Sequence, residues 1–267
     1  MNLLQNWDKV KMYDLTQSTS HLTPPWPTYE PLQVKFFKRL SPNGANGQLI
    51  TTSNHVGTHL DGPLHFDTAG GDIASLPLSK LVGPGVIVDL SDIAEDFGIY
   101  TPKDITDRVE VKKGDILIIN TGYHKYGWDQ PEADEKRYMV RHPGPSLDFV
   151  DWVKEMEIAW IGVDCGSADH PMNTKIRDWE PREAEACDKY MREKFGKSLN
   201  EMYPWPDAYQ AMHIQVFPKP HVIIHAENLG GDIDKVLNRR MIIGCFPWKF
   251  QGGESAFCRI VAFDFEE

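Results

Sequence analysis

The chain has 267 residues and a net charge of −11, from 28 basic and 39 acidic residues. Hydrophobic residues make up 41% and aromatics 11%, which supports a packed core and excludes a disordered chain. With no Lys/Arg cluster to neutralise phosphates, the acidic balance argues against a nucleic-acid or anionic-membrane surface.

Taken in chain order, Met1-Asn-Leu-Leu-Gln lacks the basic and apolar regions of a signal peptide. No uncharged apolar stretch approaches the roughly 18 residues of a membrane helix, so the expectation is a cytoplasmic protein with neither membrane nor nucleic-acid partners. Pro24-Pro25-Trp26-Pro27 is stiff and extended, and reads as an ordered loop or edge segment. Leu32–Phe37 reads as a strand and Gln48–Thr52 as strand-like, and the next strand is Gly85–Leu90. Thr101 caps a short helix with Pro102 at its first position. Ile116–Asn120 and Ala159–Val163 read as strands. Between them lies a helix over Leu147–Glu155, with Leu147, Val150 and Val153 at helical spacing and Ser146 as the cap. Val222–Ala226, Met241–Phe246 and Cys258–Phe265 complete the strands. Several are apolar on nearly every residue, as in a mixed α/β fold whose central strands are covered on both faces.

Composition shifts between Asn173 and Gln210, where Glu180–Lys197 is charged and helix-prone and Tyr203-Pro-Trp-Pro breaks it. The stretch 173–210 is an excursion able to form a lid or a subunit contact, with Trp179, Tyr203 and Trp205 as candidates to cap a substrate or pack an interface. No linker or repeat divides residues 1–267, so a single domain is expected. Cys165, Cys187, Cys245 and Cys258 are scattered without a CxxC pair and read as buried free thiols. Neither a Gly-x-Ser-x-Gly elbow nor a Gly-rich phosphate loop is present.

Chemistry concentrates in one run, His55-Val-Gly-Thr-His59-Leu-Asp61-Gly-Pro-Leu-His65. Imidazole and carboxylate are ligands for a divalent metal, and zinc and manganese both accept them. Gly57 and Pro63 argue against an uninterrupted helix, so the ligands are expected on a strand end and the loop after it. Three protein ligands, His55, His59 and Asp61, leave a coordination position open, which is the catalytic arrangement. A bound dication lowers the pKa of water to about 7 and makes hydroxide available. His65, one step beyond, is placed to shuttle a proton. Glu227 ends the apolar Val222–Ala226 strand, where a carboxylate is more often functional than on a surface.

This run matches, position by position, the H-x-G-T-H-x-D-x-P-x-H signature of the cyclase family, which includes bacterial kynurenine formamidases and isatin hydrolases. Gly114–Gly122, Ile161–Asp164 and His225-Ala-Glu227-Asn228-Leu229 resemble further landmarks, so the likeness runs from about residue 12 to 265. The resemblance implies a swivelling β/β/α fold with a mixed central sheet and a homodimer or homotetramer. It implies a metal-dependent amidohydrolase acting on a small aromatic or cyclic amide such as N-formylkynurenine or isatin. By position, His55, His59 and Asp61 would hold one metal ion and Asp61 would bridge to a second. Glu227 and His213 would be the distant ligands, His65 the general acid/base and Trp26 the substrate-stacking residue. His213 stands fourteen residues before Glu227, where the family has about a dozen, so Gln215, His221 and His225 compete with it, and one or two ions are both open. The same apparatus would serve a lactone or ester hydrolase. A non-catalytic metal or small-ligand binding protein is the reading from a different class.

Overall fold

The computed structural model describes residues 6–265, so the start Met1–Gln5 lies outside the described residues. The main sheet is built from β1 (Val10–Asp14), β4 (His59–Asp61), β5 (Val82–Asp89), β7 (Ile116–Asn120), β9 (Trp160–Val163), β10 (Ile224–Glu227), β11 (Arg239–Pro247) and β12 (Ser255–Phe265). Two small pairs stand apart: the hairpin β2 (Gln33–Lys38) and β3 (Gly47–Thr51), and the two-residue strands β6 (Ile99–Tyr100) and β8 (Gly144–Pro145).

The strand order is β1-β12-β11-β5-β7-β9-β10-β4, and β4 pairs back onto β12. The expected mixed sheet therefore closes on itself. β5, β7, β9 and β10 run parallel, and the remaining pairings are antiparallel. Closure explains the continuous apolar runs, because alternate residues of each strand face two different cores. Ile87, Ile118, Ala226, Leu60 and Ala256 lie in register around the closed sheet and pack inside it. Their neighbours Val86, Val88, Leu117, Ile119 and Ile161 face outward into a second core.

Helices complete that outer core. Leu147–Glu155 forms as expected and buries Phe149, Val150 and Val153. Ser146 occupies its cap position, but its hydroxyl bonds the Asp148 carboxylate and not the backbone. Thr101 and Asp104 form a reciprocal capping box on Pro102–Thr106. The excursion carries the helix Pro181–Phe195 and docks through Ile176, Cys187, Met191 and Tyr203, so it is part of the outer core. All four cysteines are free and buried. Val222 lies outside β10, in left-handed backbone. Among the described residues no helix is long and apolar enough to cross a membrane.

Candidate metal centre

Two of the proposed ligands owe their placement to strand periodicity. His59 and Asp61 lie within β4, not on a loop after a strand, and residues i and i+2 share a face. β4 pairs with β10 so that His59 lies opposite Glu227 and Asp61 opposite His225. Four chemically active side chains thus project from one face, while Leu60 and Ala226 turn into the inner core. His55 precedes β4 on an irregular segment tied to Pro25-Trp26 by the Pro25–Val56 bridge and by Trp26 N–H donating to the His55 carbonyl at 3.0 Å. Gly57 allows the turn between His55 and His59 with a φ of +63°. His65 follows on a single 3-10 turn, Pro63–His65.

The donor atoms converge. His55 Nδ1 lies 3.2 Å from His59 Nε2 and 3.1 Å from Asp61 Oδ1, and His59 Nε2 lies 3.3 Å from the same oxygen. Ligands about 2.0 Å from a tetrahedral ion stand about 3.3 Å from one another, so this triangle has the dimensions of one coordination face. Asp61 Oδ1 is buried and accepts no hydrogen bond of good geometry, an orphan that a cation would satisfy. The other ring nitrogens are engaged: His59 Nδ1 with the Gly57 carbonyl at 2.8 Å, and His55 Nε2 with Glu254 at 3.0 Å. Such outer contacts fix ring orientation in metal-ligating histidines. The residues present therefore fit a divalent ion.

A second set shares Asp61. His213 Nε2 is 3.7 Å from Asp61 Oδ2 and 3.6 Å from Glu227 Oε1, and Glu227 Oε2 is 3.8 Å from His59 Nε2. His213 Nδ1 is held at 2.7 Å by the buried Asp169, which also accepts the Met212 N–H at 3.0 Å. Among the described residues neither nitrogen of His225 has a hydrogen-bond partner, and its ring stands 4.8 Å from that of His213. Among the described residues three groupings could hold an ion: His55-Asp61-His65, His59-Asp61-Glu227 and His213-His225-Glu227. Of the competing distal residues, His213 and His225 reach the site. Gln215 and His221 are exposed on the surface.

Electrostatics follow from this crowding. Burial works against a charged His55, yet Asp61 and Glu254 outweigh it and push its pKa up to about 10. Burial likewise opposes charge on His213, but Asp169 and Asp61 push it up to about 10. For Glu227, burial and the neighbouring Asp61 charge raise the carboxyl. Burial drives His225 well below its usual range, and His213 adds to this.

The centre opens into a cavity of about 320 Å³ whose walls include Trp26, Tyr29, Phe66, Trp179, Tyr209 and Gln210. Trp26, the substrate-stacking residue implied by the resemblance, is one of these walls. From the excursion, Trp179 lines the cavity, Tyr203 is buried with its hydroxyl on the Pro145 carbonyl, and Trp205 packs on Tyr209. Sequence reasoning missed two carboxylates. Asp169 precedes His170, which is fully buried and bonds the Phe97 carbonyl, while Asp169 reaches His213. Glu254, on the loop between β11 and β12, lies 2.7 Å from His65 Nδ1 as well as touching His55.

Residues 13–170 match the family model described as putative cyclase. Kynurenine formamidase of Bacillus cereus is 30% identical over 164 residues, covering 61% of this chain and 71% of the relative. That of Bacillus anthracis is 28% identical over 166 residues, covering 62% and 73%. Isatin hydrolase A from Ralstonia solanacearum has a similar structure, with a TM-score of 0.74 at 19% identity, over 98% of this chain and 96% of that one. A structure described as a potential metal-dependent hydrolase with cyclase activity gives 0.64 at 20% identity, over 97% and 100%.

Proposed function

The chain belongs to the putative cyclase family, and on that premise we propose that it is a metal-dependent hydrolase of a carbon–nitrogen bond in a small aromatic or cyclic amide. One observation carries the reading: three buried donor atoms 3.1 to 3.3 Å apart, including the unpartnered Asp61 Oδ1, open onto an aromatic-walled cavity. The relatives' names, kynurenine formamidase and isatin hydrolase, describe acyl–nitrogen cleavage next to an aromatic ring and agree with it.

His55, His59 and Asp61 would hold one ion, and Asp61, Glu227 and His213 a second. Zinc and manganese both suit this donor set. A divalent ion supplies Lewis acidity and a water of lowered pKa. The rest falls to the chain. The rings of Trp26, Phe66, Trp179 and Tyr209 form walls for a flat substrate, in a cavity at the small end of the ligand-pocket range of about 300–1,000 Å³. His65 borders the same space and carries the proton released by the attacking water to the departing nitrogen. Glu227 Oε1 accepts the Ala168 N–H at 2.8 Å, which fixes the carboxylate toward the centre.

The assay is turnover of N-formylkynurenine, isatin and a lactone panel by protein loaded with zinc or manganese. His65→Ala is expected to lose at least about 100-fold in kcat with an unchanged melting temperature. Loaded protein inert to the whole panel favours the binding-protein reading, and cleavage of lactones alone assigns the ester reading.

A homo-oligomer is part of the proposal, supported by the β2–β3 hairpin. All of β2 is exposed, and Phe37 and Leu49 are 63% and 57% accessible. Residues 31–60 hold Lys35, Lys38 and Arg39 without one acidic residue, in a chain of net charge −11. An apolar, basic arm on an acidic body is complementary to a second copy of the same chain.

A further inference from the structure

Glu254 joins two side chains to which the proposed chemistry gives different tasks. It follows Gly252-Gly253 on the β11–β12 loop, and its own carbonyl accepts the Gly62 N–H at 2.8 Å, which pins the loop beside β4. Its Oε2 lies 2.7 Å from His65 Nδ1 and 3.0 Å from His55 Nε2. Its Oε1 lies 3.2 Å from His55 Nε2 and accepts from Asn54 Nδ2 at 3.2 Å. One carboxylate therefore receives three donors from the segment that carries the metal ligands.

The consequence lies in the imidazole tautomers. A neutral imidazole has one N–H and one lone pair. When His55 donates through Nε2, its lone pair sits on Nδ1, the atom that faces His59 and Asp61. When His65 donates through Nδ1, its lone pair sits on Nε2. The rings of His55 and His65 lie 4.4 Å apart and tilted by 33°, so the same carboxylate also fixes their separation. We propose that Glu254 is a positioning residue that sets the tautomer and orientation of both His55 and His65, coupling metal retention to proton transfer. Its effect on turnover rests on the hydrolase reading above; its effect on metal binding does not.

The test uses the full chain with Glu254→Gln, Glu254→Ala and Glu254→Asp. Glu254→Gln keeps the shape and one acceptor oxygen, which at the Oε2 position still reaches both rings, while removing the charge; Glu254→Ala removes both acceptors. Zinc and manganese affinities are measured by chelator competition, folding by thermal melts of the metal-free proteins, and kcat and KM separately on N-formylkynurenine and isatin. Glu254→Ala is expected to lose about tenfold or more in metal affinity. It should also lose about 100-fold in kcat with KM within a factor of two, because an acid/base group is misaligned and the substrate walls are untouched. Glu254→Asp, which keeps the charge, recovers part of both. Wild-type metal affinity in a folded Glu254→Ala overturns the proposal, whatever its turnover. Wild-type kcat at saturating metal overturns the His65 half. A wild-type protein that binds metal but cleaves neither substrate sinks the hydrolase reading alone, and the metal arm still decides the role of Glu254.

Discussion

Asp169 never touches the cavity, yet it should govern how tightly the distal ligands hold an ion. Its Oδ2 receives His213 Nδ1–H at 2.7 Å and its Oδ1 receives the Met212 N–H at 3.0 Å. Losing such an outer partner typically costs 10–100-fold in metal affinity, or about 1.4–2.7 kcal/mol. The charge also favours a proton on His213, whose pKa is pushed up to about 10 against the effect of burial. Removing the charge therefore weakens both competitors for the imidazole. A dication feels the carboxylate about twice as strongly as a proton does, so the ion loses more. At pH 7 Asp169→Asn should bind zinc or manganese about tenfold more weakly, and the deficit should widen as pH rises toward 10. Wild-type affinity itself should climb with pH, because the ion displaces the His213 and His55 protons. Asp169→Ala adds a stability cost of about 1–3 kcal/mol by stranding the buried Met212 N–H. Chelator competition between pH 6 and 9, with urea melts of the metal-free proteins, measures both. Equal affinities for wild type and Asp169→Asn across that range would refute the reasoning.

His124 gives a stability prediction far from the metal. Burial opposes its charge, but Asp164 at 2.9 Å and Asp234 at 3.1 Å outweigh this and push its pKa from 6.5 up to about 9. Its contribution is fully present below about pH 6.5 and is lost as pH rises through about 9, at most about 3 kcal/mol. His124→Gln should flatten that decline in denaturant melts; parallel curves for the two proteins between pH 6.5 and 9.5 would contradict it. For the hairpin, light scattering should give at least twice the chain mass, and Phe37→Asp combined with Leu49→Asp should reduce it to one. A wild-type monomer at micromolar concentration removes the interface.

What the sequence made legible was local. His55, His59, Asp61 and His65 are separated by gaps of at most four residues, and Gly57 and Pro63 betray the backbone they need. The strands Ile116–Asn120 and Trp160–Val163 showed as continuous apolar runs because two cores claim their alternate residues. What stayed hidden depends on pairing across the chain. β4 has three residues, too few for a periodic signal, and its partners β10 and β12 lie about 165 and 195 positions further on. Closure of the sheet through so short a strand leaves no trace in composition. Glu254 contacts His55 across 199 residues, and its Gly-Gly-Glu surroundings look like any exposed turn. Asp169 meets His213 across 44 residues, and nothing in its local sequence separates it from a carboxylate in an ordinary turn.

The same geometry explains why this face tolerates so much buried polarity. Asp61, Glu227 and Asp169 are all buried, as are His55, His59, His213 and His225. Buried charge is costly unless paired, and unpaired polar atoms cost further. Several of these groups are paired through imidazole N–H donors, yet Asp61 Oδ1 and both His225 nitrogens have no hydrogen-bond partner among the described residues. Packing alone would favour apolar residues at these positions, as it does at Leu60 and Ala226 on the opposite face of the same strands. A dication held by Asp61 and the imidazole lone pairs would offset the carboxylate charge and take the place of histidine protons. With Glu227 and His213 among its ligands it would also join β4 to β10 and to the turn bearing His213, beside the shortest strand of the closed sheet. Metal binding and the stability of that closure are therefore linked quantities, because an ion that binds only the closed arrangement stabilises it by mass action.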